Sequence, residues 1–211
     1  MAESSLRARL ETFCDGVFAI AITLLILEIK VPSLQSVSSG EVLRKELFHH
    51  WPSWFAFLLS FIALFIAWTN HNRTLHMLHP KKISAAFLYA HGFMILTVCI
   101  YPFTTALLAE YLNSDMLALP AFIYCLMNMI HASAWVIVYH FTLRPVYLGK
   151  DESKRKTLVT TRRLIAYTVI FNAAMCIISF WIPILAITLT AIAWIIYLIM
   201  GMVLTPLENE E

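Results

Sequence analysis

Asp15 and Glu28 are carboxylates in a stretch that otherwise reads as lipid-buried. Residues 9–31, RLETFCDGVFAIAITLLILEIKV, are mostly apolar, opened by Arg9 and closed by Glu28 and Lys30. A carboxylate deep in a bilayer costs roughly 2.5–3.5 kcal/mol on insertion scales. Such a group implies a charged or hydrogen-bonding partner, or a water-filled cavity. The chemistry on offer is electrostatic: pairing across helices, concentrating cations, or relaying protons.

Other residue types narrow the options. Four cysteines, Cys14, Cys99, Cys125 and Cys176, all fall in apolar segments without pair spacing, which signals neither a disulfide framework nor a zinc site. The spacing of His71, His76 and His79 does not bring all three onto one helical face, so they read as a hydrated run and not a metal centre. Five scattered glycines exclude a phosphate loop, a dinucleotide fingerprint and a TVGYG carbonyl filter. There is no G-x-S-x-G and no H-E-x-x-H. No nucleophile–base pair or metal constellation can be assembled, so an enzyme is not expected.

The elements that must carry these residues are transmembrane helices. The chain has 211 residues, 60% hydrophobic and only 13% charged, well outside the soluble norm. Glu3, Ser4, Arg7 and Arg9 read as a short polar leader, not a cleavable signal, so the first helix is expected to be retained. That helix is expected over Leu10–Ile29, ending before Pro32. At 100° per residue Phe13, Gly16, Ile20, Leu24, Leu27 and Val31 fall within about 40° of a common direction, with Thr23 at the edge of the stripe. Asp15 points well away, toward neighbouring helices. On pattern alone the stripe reads first as packing surface for helices or lipid.

Residues 32–50 form a polar connector (Ser36, Ser38, Ser39, Gly40) ending in EVLRKELFHH, one or two interfacial turns. The second helix is expected from Trp51-Pro52 to Leu75, with Trp51 and Trp54 as an interfacial belt. The third covers Ile83–Tyr111 with a kink or an end at Pro102, and the fourth Met116–Phe141. RPVYLGKDESKRKTLVTTRR then reads as a charged loop without apolar period. Its KDESKRK core is foremost a positive-inside signal, with attraction for anionic lipid as a second reading. The fifth helix, Leu164–Ile182, and the sixth, Ile184–Leu204, form a tight hairpin at Pro183, and a frayed tail ends in Glu208, Asn209, Glu210 and Glu211. No internal repeat is evident, so residues 1–211 read as a single six-helix domain.

With the N terminus inside, twelve of the fifteen Lys and Arg residues are cytoplasmic and only Lys30, Arg44 and Lys45 lie outside. Both termini are therefore expected in the cytoplasm. In this topology Asp15, Trp68, Asn70, His71 and His91 lie toward one end of the bundle, where they can share hydrogen bonds, with Arg9 pairing Asp15 from the rim. Such a network either locks helix packing or takes part in gating. Asn128 and His131 read as satisfied interior groups.

Arg9-x-x-x-Phe13-Cys14-Asp15, followed by GVFAIAITLLILEIKVP, resembles the R-x-x-x-F-S-D first-helix signature of the transmembrane protein 175 family of endolysosomal potassium channels. The closer likeness is to its prokaryotic six-helix members. Cys14 replaces the usual serine, which keeps the size and weakens the hydrogen bond. Weaker echoes are AWTNHNR around Trp68 and His71, and YPFTTALL around Pro102.

The resemblance implies an all-α integral membrane protein that is a homotetrameric, potassium-selective channel, its central pore lined by helix 1. It implies Ile20 as the narrowest ring, Leu24 and Leu27 as further aliphatic rings, and Thr23 as the pore-lining hydroxyl. Glu28 would stand at the outer mouth, and Arg9, Phe13, Cys14, Asp15, Trp68 and His71 would form the signature network. The expected partners are further copies of the chain, membrane lipid and permeant potassium, with no cofactor, metal centre or nucleic acid. The expected location is a prokaryotic plasma membrane. Two other classes remain open: a proton leak or proton-coupled transporter using Asp15 and the eight histidines, and a non-conducting membrane scaffold.

Overall fold

The computed structural model describes residues 6–35, 37–78, 83–148 and 151–204. Ser36, His79, Lys81, Lys82, Gly149, Lys150 and the acidic tail, singled out above, lie outside the described residues, as do Glu3 and Ser4.

Among the described residues eight α-helices follow in chain order. They are α1 (Leu6–Leu24), α2 (Gly40–His49), α3 (Trp51–Met77), α4 (Ala85–Tyr111), α5 (Ala118–Thr142), α6 (Pro145–Leu148), α7 (Glu152–Ile178) and α8 (Pro183–Leu204). Six of them, α1 with its continuation to Glu28, α3, α4, α5, α7 and α8, are long and apolar enough to cross a membrane. α1 tightens after Leu24 into a 3-10 turn, Leu25–Glu28.

Two expectations need correction. Arg144–Arg163 is not a loop. It holds the single-turn α6 and the first three turns of α7. Asp151 caps α7 by accepting a hydrogen bond from the Lys154 amide at 3.0 Å, and a solvated helical segment needs no apolar period. Helix α7 also stops at Ile178, four residues short of expectation, so residues 179–182 make the turn to α8. Of the kink or end expected at Pro102, the end does not occur, since α4 runs through it to Tyr111. Buried Tyr101, Thr104 and Thr105 flank Pro102, and packing on α3 and α5 holds the helix continuous. The connector segment EVLRKELFHH is a fuller element than expected, forming α2 with Ser39 as its cap.

α5 is the hub, packed against α4, α7 and α8, while α1 packs on α3 and α4. The interior is laced with satisfied polar groups. Tyr124 and Ser60 are hydrogen-bonded at 3.0 Å, Thr105 donates to Ser60 at 2.6 Å, and Tyr101 donates to Asn128 Oδ1 at 2.8 Å. His131 is held at both nitrogens: Trp135 Nε1 donates to Nε2 at 3.1 Å, and Thr97 Oγ1 lies 2.7 Å from Nδ1. The Thr97 hydroxyl donates to the Met94 carbonyl. Indole can only donate, so Nε2 is an acceptor, Nδ1 carries the hydrogen, and the ring is neutral.

Candidate permeation helix and its supporting network

Helix α1 is sharply two-sided. Leu10, Cys14, Phe18, Ala21 and Leu25 are buried. Their angular positions cluster on one side because they repeat at spacings of three and four. The opposite side is uncovered: Phe13 is 59% exposed, Ile20 61%, Leu24 42% and Leu27 70%. Gly16 and Thr23 are exposed on the same side, and open space lies where a Gly16 side chain would begin. The stripe expected from the sequence is thus the face that the rest of the subunit leaves bare.

Thr23 Oγ1 lies 2.9 Å from both the Ala19 and the Ile20 carbonyl oxygens. Its hydrogen is directed back into the helix, and the oxygen lone pairs remain to accept a hydrogen bond or meet a cation. Glu28 is half-buried, and it lines a groove of about 530 Å³ together with Lys30, His49, His50 and Glu110. Lys30 reaches Glu110 at 3.7 Å, an exposed pair. Among the described residues Glu28 forms no ion pair.

At the other end, Asp15 is engaged by α3. Trp68 Nε1 donates to Asp15 Oδ1 at 2.9 Å. The expected Arg9–Asp15 pair is absent within the subunit, and Arg9 is exposed. Six residues along one helix place the two side chains about 120° apart and about 9 Å along the axis, so they cannot readily meet. Arg7, by contrast, reaches across to the Leu78 carbonyl at 3.3 Å.

His71 and His91 are fully buried beside this contact. Their ring centroids stand 5.5 Å apart, and Phe18 lies 5.9 Å from His71. His91 Nδ1 donates to the Phe87 carbonyl at 3.0 Å, while its Nε2 and both nitrogens of His71 have no hydrogen-bond partner. Cys14, next to Asp15 in the chain, is fully buried. The structure therefore brings Cys14, Asp15, Trp68 and His71 to one end of the subunit and leaves Phe13 and Arg9 outside. His91 belongs with them through its ring contact. Among the described residues no three His, Cys, Asp or Glu side chains are arranged to hold a metal ion.

Six long apolar helices, joined by buried polar contacts and leaving apolar faces of α1 and of other helices bare, define a multi-pass membrane protein. The family model described as endosomal/lysosomal potassium channel TMEM175 matches residues 9–102. The crystal structure of a lysosomal potassium-selective channel TMEM175 homolog from Chamaesiphon minutus aligns with a TM-score of 0.80 and 30% identity, covering 92% of this chain and 96% of that one. This chain belongs to the TMEM175 family, a family of ion channels and not of enzymes. A potassium channel of Chamaesiphon minutus is 43% identical over 122 residues, which are 58% of this chain and 59% of that protein. A potassium channel of Streptomyces collinus is 40% identical over 107 residues, 51% of this chain and 50% of that protein. The chain thus spans between half and three fifths of the length of these two relatives.

Proposed function

We propose that this chain is a potassium-selective channel of a prokaryotic plasma membrane. Four copies assemble about an axis lined by α1, with both termini in the cytoplasm and residues 1–211 acting as one channel unit. The observation that carries the reading is the bare stripe of α1. The subunit covers Leu10, Cys14, Phe18, Ala21 and Leu25 and leaves Ile20, Leu24 and Leu27 uncovered. A line of small and aliphatic residues is a surface on which helices meet, and a closed cyclic assembly of copies encloses it. The relatives named potassium channels supply the permeant ion.

In this arrangement Ile20 is the narrowest ring, followed outward by Leu24 and Leu27. An aliphatic collar closes to ions by losing its water. Thr23 presents its free lone pairs beside the collar and replaces part of an ion's hydration shell. Glu28, facing its groove, raises cation concentration at the outer mouth. Asp15, held by Trp68, fixes the rotation of α1 against α3 so that the stripe faces the axis.

Reversal potentials of purified protein in asymmetric potassium and sodium test the proposal. A shift toward the potassium equilibrium potential is expected. Absence of flux from well-assembled protein points to a scaffold, and saturable flux coupled to protons points to a transporter. Either result removes the channel reading.

A further inference from the structure

Helix α7 carries an uncovered line of its own. Lys156, Thr160, Arg163, Tyr167, Ile170 and Ile177 are all exposed. At 100° per residue they fall within a stripe roughly 100° wide. The other side, with Leu158, Thr168, Asn172, Met175 and Cys176, is buried, and α7 packs on α5 and α8.

Along the stripe the chemistry changes in the order of a phospholipid. Ile177 is 59% exposed, Ile170 66% and Tyr167 66%. Arg163 follows about one turn beyond the phenol, and Lys156 about two turns further. At the opposite end Trp181, 75% exposed, marks the tip of the α7–α8 hairpin. From Arg163 to Ile178, where α7 ends, the helix runs about 22 Å at 1.5 Å per residue, most of the ~30 Å depth of a hydrocarbon core, with the turn that carries Trp181 beyond it. Tyr167 therefore lies where aromatic side chains meet headgroups, with the two cations just beyond.

These cations are uncommitted. Lys154 pairs with Asp151 and Arg155 with Glu152, each at 3.7 Å. Among the described residues Lys156 and Arg163 form no ion pair. Arg163 offers a planar fork of donors suited to a phosphate, and Lys156 adds a second positive charge on the same side.

We propose that this stripe is a binding site for an anionic phospholipid. One acyl chain lies along Ile177 and Ile170, the Tyr167 hydroxyl meets the ester region, and the phosphate is held by Arg163 with Lys156 beyond it. Continuity between the apolar and cationic segments favours a lipid over a soluble anion, which would have no use for Ile170 and Ile177. The inference rests on the chain spanning a membrane and is independent of which helix lines a pore, since α1 packs on α3 and α4.

The test uses the full chain in detergent, titrated with dioleoylphosphatidylglycerol or dioleoylphosphatidylcholine, with bound lipid counted by native mass spectrometry. The wild-type protein is expected to prefer phosphatidylglycerol. Removing both charges (Lys156→Gln with Arg163→Gln) should lower that preference by roughly 25-fold, about fivefold per cation near an anionic headgroup. Lys154→Gln, on the opposite side of α7, should leave it unchanged. The proposal is overturned if the wild-type protein shows no preference, or if the double variant keeps it. Displacement of the lipid by inorganic phosphate would overturn it in favour of a free-anion site. A Tyr167→Cys variant that forms disulfide-linked pairs not seen in the wild type would show that a second copy covers the stripe.

Discussion

The indole nitrogen of Trp68 lies 2.9 Å from the Oδ1 atom of Asp15 and donates its hydrogen there. This contact ties α1 to α3 through the one carboxylate in the middle of α1. Trp68→Phe keeps most of the ring and removes only the donor. A hydrogen bond to a charged group contributes about 1.5–3 kcal/mol, so a loss of that size is expected in thermal unfolding of the purified protein. Asp15→Ala should cost a similar amount, because no buried Arg9 is left behind. A stability loss shared by Arg9→Ala and Asp15→Ala, recovered on reversing both charges, would contradict this assignment.

A second expectation concerns the pore collar. Ile20→Asn places amide groups and room for water at the proposed constriction, which lowers the barrier to a hydrated ion. Open probability or conductance should rise and preference for potassium over sodium should fall. Ile22, packed against the subunit core, is the control, and Ile22→Asn should damage folding instead. Single-channel recording of both variants decides the matter. Unaltered conduction in a well-assembled Ile20→Asn protein would remove α1 from the pore wall.

The polar interior offers a prediction independent of conduction. Thr97→Val removes the acceptor of the His131 Nδ1 hydrogen with little change of shape. A buried donor without a partner costs about 1–3 kcal/mol. The thermal midpoint should fall accordingly, and conduction by the folded fraction should be unchanged. Conduction lost without loss of stability would instead place His131 on the ion or proton path.

Cys14→Ser should be nearly silent, within about 1 kcal/mol. The site is fully buried, but a serine hydroxyl inside a helix can turn back to the carbonyl four residues earlier. Unfolding curves of the two proteins should nearly superimpose. A large loss would show that this site has no room for a hydroxyl hydrogen bond.

Much of this architecture is legible in the residues. Periodicity locates all six long helices, because a membrane span needs a run of apolar residues that little else in a chain resembles. The bare stripe of α1 follows from its spacing, with Phe13, Ile20, Leu24 and Leu27 opposite Cys14 and Phe18. The first turns of α7 are not legible in that way. Their helicity comes from the Asp151 cap and from charged residues of good helix propensity, neither of which produces an apolar period. Trp68, expected to share hydrogen bonds with Asp15, does so, whereas the pairing expected of Arg9 fails for a different reason. Charge suggests Arg9, whereas the geometry of a single helix turns Arg9 away and leaves the indole of another helix to fill the place. Topology places His91 at the level of His71, and the packing of α4 on α3 brings their ring centroids to 5.5 Å, a contact that no local pattern records.

The 3-10 turn that follows α1 changes how Leu24 and Leu27 stand. In an α-helix, side chains three apart are offset by about 60°, so successive levels spiral around the cylinder. In a 3-10 turn they eclipse, with about 2.0 Å of rise per residue. Leu24 caps the turn and Leu27 lies within it, so the two side chains rise in a straight column about 6 Å tall. Four such columns about an axis would make a smooth-walled sleeve in place of a screw thread, and an ion passing through would meet two levels without turning.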